Sequence, residues 1–138
     1  MASPKAHRVD RAKARIYLGK AAEFLAAAKA AHAAQQSDAA LLLAIHAGIS
    51  ACDAVTVALG AVRSTDPDHL KAVDLLETAA RRSQEVRERA NQLRSLLKLK
   101  NLVEYEDRRV SAKEADAGTK RAERLVSWAM LQLERARI

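Results

Sequence analysis

His46, Ser50 and Asp53 stand at i, i+4 and i+7 inside the apolar run 41–55. On a helix that spacing lines an imidazole, a hydroxyl and a carboxylate along one stripe. An ionised aspartate is too costly to bury alone. The stripe must therefore meet a cation or donor from another helix, or border a solvent-filled seam, and that seam is the candidate site. A metal there would have to use His46 and Asp53, two helical turns apart, with His69 from another helix, and nothing else completes a shell. No metal or cofactor is therefore expected. The chain also has no glycine-rich phosphate loop, HExxH, paired CxxC, GxSxG or EF-hand spacing.

The elements that must hold these residues are helices. With 4 Gly and 2 Pro in 138 residues, and abundant Ala and Leu, turn signals are few and helix propensity is high throughout. The fold class is all-α, an up-and-down bundle of four to five helices in a single domain over 10–138, preceded by a flexible basic N-terminus at 1–9. A first helix starts from Asp10 as N-cap and carries the stripe Ala14, Tyr17, Ala21, Phe24, Leu25, Ala28 and Ala31 inward. The central helix follows, capped by Ser37 or Asp38 and stopped by Gly60. It is apolar nearly all round, as a helix surrounded by others is. Its small residues Gly48, Ser50, Ala51 and Ala54 would admit a close neighbour, including one from a second chain.

A third helix restarts at Asp66-Pro67 with Leu70, Val73, Leu75 and Leu76 inward and ends near Arg81. A fourth, capped by Ser83, carries Val86, Ala90, Leu93 and Leu97. If it continues, the same stripe reaches Lys100 and Glu104, which can pair. If it bends near Lys98, those groups are solvated. Ser111 and Glu114 form a capping-box pattern that opens the last helix, with Val126, Ala129, Met130 and Leu133 inward and Trp128 as its anchor.

Composition limits the function classes. A chain 49% hydrophobic and 30% charged is globular rather than disordered, and its net charge of +7 favours an anionic partner. Lys5, Arg8, Arg11, Lys13, Arg15 and Lys20 face only Asp10 in the first twenty residues. A second cluster, including Arg81, Arg82, Arg87 and Arg89, is diluted by Glu85 and Glu88. The single cysteine, Cys52, cannot form an internal disulfide. Together with the lack of a secretory or membrane-length apolar segment, it suggests a cytoplasmic protein.

The run Lys100-Asn101-Leu102-Val103-Glu104-Tyr105 carries a resemblance. Set beside Ala51-Cys52-Asp53-Ala54 ending the apolar helix and the Asp68-His69 start of the third, it resembles the HEPN superfamily (higher eukaryotes and prokaryotes nucleotide-binding), in its small stand-alone actinobacterial-type members, over about Asp10 to Leu133. The resemblance implies a helical bundle that pairs as a homodimer and acts in toxin–antitoxin or phage-defence systems, beside an antitoxin or nucleotidyltransferase. Many members are metal-independent ribonucleases with an Arg, a polar residue after it, and a His five to seven positions beyond the Arg.

Here Lys100 stands at the Arg position, Asn101 at the polar one and Tyr105 at the His one. Lysine keeps the charge but loses the planar fork that grips phosphate, and a phenol does not take up a proton near neutral pH as an imidazole does. Both changes argue against cleavage. Positions i and i+5 also point apart on a regular helix, so Lys100 and Tyr105 would share a site only through a bulge or a dimer partner.

The expected cluster is His46 and Asp53 facing Lys100, Asn101 or Tyr105, with His69 nearby, serving as a structural lock or as an anion pocket. The expected function is a non-catalytic module that binds RNA, a nucleotide or a protein partner. The alternatives are a diverged ribonuclease using His46 or His69 as base, and a purely structural, self-associating bundle.

Overall fold

The computed structural model describes residues 5–81 and 83–138. Among them are five helices, α1 (Ala14–Ala33), α2 (Ser37–Gly60), α3 (His69–Ala79), α4 (Gln84–Tyr105) and α5 (Ala112–Arg135), with two short strands, β1 (Ala6–Arg8) and β2 (Val62–Ser64). The protein is an all-α bundle with a small two-stranded ribbon. Met1 to Pro4 and Arg82 lie outside the described residues.

Every other helix packs on α2. Its buried residues run almost without a break from Ala40 to Ala58, and Leu41, Ile45, Val55 and Val57 are fully enclosed. α2 is the one helix among the described residues long and apolar enough to cross a membrane, and 78% of its apolar window is buried inside the fold, as in a core helix. The small residues of α2 receive neighbours from the same chain. A Cβ on Gly48 would sit 3.0 Å from Leu96 and 3.3 Å from Leu125, so α4 and α5 occupy that face. At Gly48 the close neighbours are thus helices of the same chain.

The caps explain most boundaries. Ser83 accepts from Val86 N at 3.1 Å, and Ser111 and Glu114 close a complete capping box. Asp10 accepts from Ala12 N at 3.0 Å and opens a single 3₁₀ turn before α1. Asp68, rather than Asp66, caps α3. Asp66 instead accepts from Asp68 N at 2.9 Å, which spends the turn around Pro67 before the helix begins.

At α2 neither Ser37 nor Asp38 caps. Asp38 accepts from Val110 N at 2.8 Å and pairs with Arg109, tying the α4–α5 loop to the start of α2. At the other end Ala61, not Gly60, takes the left-handed φ of 54°. Gly60 stays helical, and its missing side chain serves packing instead, since a Cβ there would lie 2.6 Å from the Cβ of Ala79.

Three further expectations are corrected. Within the expected flexible N-terminus, residues 5–9 are tied down; residues 1–4 lie outside the described residues. Ala6–Arg8 pairs antiparallel with Val62–Ser64, and bonds from Val9 N to Ala61 O and from Thr65 N to Lys5 O, each 2.9 Å, extend the ladder and satisfy the segment's backbone groups. Met130 is 54% exposed because the buried arc of α5 is centred on Ala122, Leu125, Ala129 and Leu133, which leaves 130 on its rim. Leu70 is 47% exposed, since Val73 and Leu76 take the inward side of α3. Trp128 is buried on α5 as expected.

Candidate functional site

Asp53 is 8% exposed, and the cation that meets it is Arg63 of β2, with Nε 3.5 Å from Oδ2. The expected partner on α4 is not the one used. The chain reverses at Ala61 immediately after α2, so β2 runs back past the C-terminal turns of that helix and delivers Arg63 to Asp53. Lys100 lies further back along α2, beside His46. Arg63 is held from its other side by Tyr17, whose ring centroid is 5.1 Å from the guanidinium carbon. Burial pushes the Asp53 carboxyl up to about 6, against the opposing pull of the Arg63 charge. The neighbouring Cys52 thiol is also driven up, by burial and then by Asp53, so it is not a nucleophile.

A second group of polar residues gathers around α4, which runs unbroken to Tyr105 without bending near Lys98. Lys100 pairs with Glu104 at 3.4 Å, and each side chain is 29% exposed. His46 of α2 and His69, the first residue of α3, both lie close enough to Lys100 to feel its charge. Burial chiefly, and then Lys100, lowers the pKa of each imidazole, while Glu104 works in the opposite direction. Both rings are therefore held neutral at physiological pH. His46 also packs on Phe24, with ring centroids 6.1 Å apart.

Lys100, Glu104 and His69 line a groove, and His69 also borders a smaller cavity, whereas His46 lines neither. The groove, of about 460 Å³, is lined by His69, Leu70, Lys98, Lys100, Asn101 and Tyr105, with Arg94 and Glu104 among its other walls. Arg94 is held by Asp74 at 3.2 Å and by Glu77, which braces α3 on α4. Asn101 is exposed and Tyr105 is 78% exposed, so the phenol faces solvent at the end of α4. Lys100 and Tyr105 line the same groove without a bulge or a second subunit, because the groove wraps the last turn of a regular helix. A smaller cavity of about 180 Å³ lies behind it, among Ile49, Asp53, Arg63, Ser64, Thr65, Asp66, His69 and Ala72. His69 borders both.

The structure thus brings His46, His69 and Lys100 together, leaves Asn101 and Tyr105 on the open side, and places Asp53 behind His69. Glu104 and Arg63 complete the arrangement. Glu104 was legible as the i+4 partner of Lys100, whereas nothing in the periodicity marks Arg63, because a three-residue strand has none to read. Among the described residues, no three His, Cys, Asp or Glu side chains are grouped to hold a metal ion.

A separate feature lies at the N-terminal end. Lys5, Arg8, Arg11, Lys13, Arg15 and Lys20 are all exposed, and among the described residues none pairs with an acid. This face adjoins Arg63 through the His7–Arg63 register of the ribbon and through Tyr17, on which Lys20 also sits at 5.7 Å. Comparison with protein-family models, curated proteins and solved structures finds no match.

Proposed function

We propose that this protein is a HEPN-like helical module that binds RNA or a nucleotide without cleaving it. The observation that carries the proposal is the open groove at the α3–α4 junction, where Lys98, Lys100, Asn101 and His69 present donors and Tyr105 presents an exposed ring for stacking. The exposed basic face at the N-terminal segment, unpaired among the described residues, supports it by attracting an anionic strand to the protein. Lys100 is engaged by Glu104, and the position of the family's histidine holds a solvent-facing phenol, so the groove has the groups to hold a phosphate and lacks the family's base. From the HEPN resemblance the proposal also takes a homodimer, a cytoplasmic setting, and an antitoxin or nucleotidyltransferase partner in toxin–antitoxin or phage defence.

The test is fluorescence anisotropy of a labelled single-stranded RNA across a salt series. Affinity should fall steeply with salt, and Lys98→Ala should weaken binding and reduce the log–log slope by about 1. Absence of binding at low salt would remove the proposal.

One observation favours a second reading, a diverged ribonuclease: the imidazole of His69, with its pKa lowered chiefly by burial, shares the groove with Lys100, a set able to accept a 2′-hydroxyl proton and neutralise a phosphate. That reading predicts cleavage lost in His69→Ala. It ends if excess protein leaves labelled RNA intact.

A further inference from the structure

The small cavity behind His69 has a chemistry of its own. Asp53 lines it while more than nine-tenths buried. Its contact with Arg63 is at 3.5 Å, and the Arg63 Nε is buried without a hydrogen-bond partner. The pair is a charge contact rather than a closed hydrogen bond; Nε itself is sealed, and the cavity is lined by Asp53 and by the Arg63 side chain, which is 40% exposed overall. Buried polar groups are normally satisfied. Ser64 and Thr65 add hydroxyls at the rim.

Charge narrows the occupant. Asp53 and Arg63 offset one another and Asp66 adds a further negative group, so a phosphate is disfavoured here, and it is better served by the lysines across His69. What fits is a neutral, flat group offering adjacent donors to the carboxylate and an acceptor to the guanidinium. The space is well below that of a pocket for a whole small-molecule ligand, about 300–1,000 Å³, but suits a single fused ring.

Among the RNA bases only guanine presents two neighbouring donors, N1–H and the exocyclic amine, beside the O6 acceptor. Adenine and cytosine each offer one donor group next to a ring-nitrogen acceptor, and uracil offers one N–H between two carbonyls. We propose that the cavity between α2, β2 and α3 is a guanine-selective base pocket, with Asp53 accepting from the base and Arg63 donating to it, while the phosphate of the same nucleotide lies across His69 beside Lys100. This inference rests on the nucleotide-binding function proposed above and adds its base specificity.

The test is calorimetric titration of the full chain with GMP, AMP, CMP, UMP, IMP and inorganic phosphate. GMP should bind about tenfold or more tightly than AMP, CMP or UMP, the scale of one good bidentate base contact. IMP, which lacks the exocyclic amine, should fall between. Asp53→Asn should remove most of the preference for GMP over AMP. Lys100→Ala should weaken every nucleotide by a similar factor and keep the preference.

Equal binding of the four standard nucleotides by the unmodified protein would overturn the pocket while leaving the nucleotide-binding module intact. So would an unchanged preference in folded Asp53→Asn. Failure of every nucleotide and of phosphate to bind would overturn both. The preference of the unmodified protein is decisive even if a variant does not fold.

Discussion

At neutral pH, Asp53→Asn should stabilise the protein, and the gain should disappear near pH 4. The Asp53 carboxyl titrates at about 6 in the folded chain against 3.8 for a free side chain, a rise of about 2 units, with burial as its chief cause. Each unit corresponds to about 1.4 kcal/mol, so ionising this group in place costs about 3 kcal/mol relative to its protonated form. The sign follows from proton counting. Between about pH 4 and 6 the native state keeps a proton that the unfolded chain has released, so stability falls as pH rises through that window and the full cost is present above it.

Asparagine mimics the protonated acid in shape and cannot ionise. Arg63 would lose its counter-charge, but its side chain is 40% exposed and can turn part of its guanidinium to water. Allowing for that loss, the expected gain at pH 7.5 is about 1–3 kcal/mol. The assay is urea unfolding followed by circular dichroism at pH 4, 5, 6 and 7.5 for both proteins. At an m-value of about 1–3 kcal/mol/M the midpoints should separate by about 1 M at pH 7.5 and coincide at pH 4. Asp38, Glu114 and Asp116 have lowered pKa values, and their contributions are lost as pH falls. They are common to both proteins and cancel in the difference. A variant no more stable than its parent at pH 7.5, or a difference that does not vary with pH, would refute the account of Asp53.

Three further outcomes follow from packing and from the anchoring of the α4–α5 loop. Gly60→Ala should cost about 1–3 kcal/mol in thermal or urea unfolding because its Cβ would meet the Cβ of Ala79 at 2.6 Å. Gly19→Ala, with nothing within 4 Å of the added carbon on α1, should gain about 0.5–1 kcal/mol, and a loss there would contradict the helix geometry. Asp38→Ala should leave the bundle folded but speed hydrogen exchange of the Val110 amide, which now donates to Asp38 at 2.8 Å; unchanged protection would show that this contact does not hold the α4–α5 loop.

Much of the fold was legible because its signals are local. Ser83 and the Ser111–Glu114 box mark helix starts by the backbone donors they satisfy, and the unbroken apolar run of α2 marks a helix surrounded by others. What escaped depended on contacts across the chain. Strands of three residues have no periodicity, so β1 and β2 left no trace, and with them went Arg63. Asp38 reads as a cap from its position, but it is claimed by an amide 72 residues away.

The residues of the polar stripe of α2 do not all meet one neighbour. His46 and Asp53 are seven residues apart, about 10 Å along a helix axis, so they reach different neighbours, α4 for one and β2 for the other. The convergence of His46, His69 and Lys100 was legible only in part, because periodicity says which way a side chain faces and not which element lies opposite.

The ribbon that joins residues 6–8 to residues 62–64 makes the beginning of the chain a tether for its middle. The arginine opposite the enclosed acid is anchored along a backbone whose strand partner, among the described residues, is that leading segment. Anything that peels the leading segment away loosens the arginine without touching the acid, so a bulky fusion or a trimmed start at this end would be felt at the heart of the bundle.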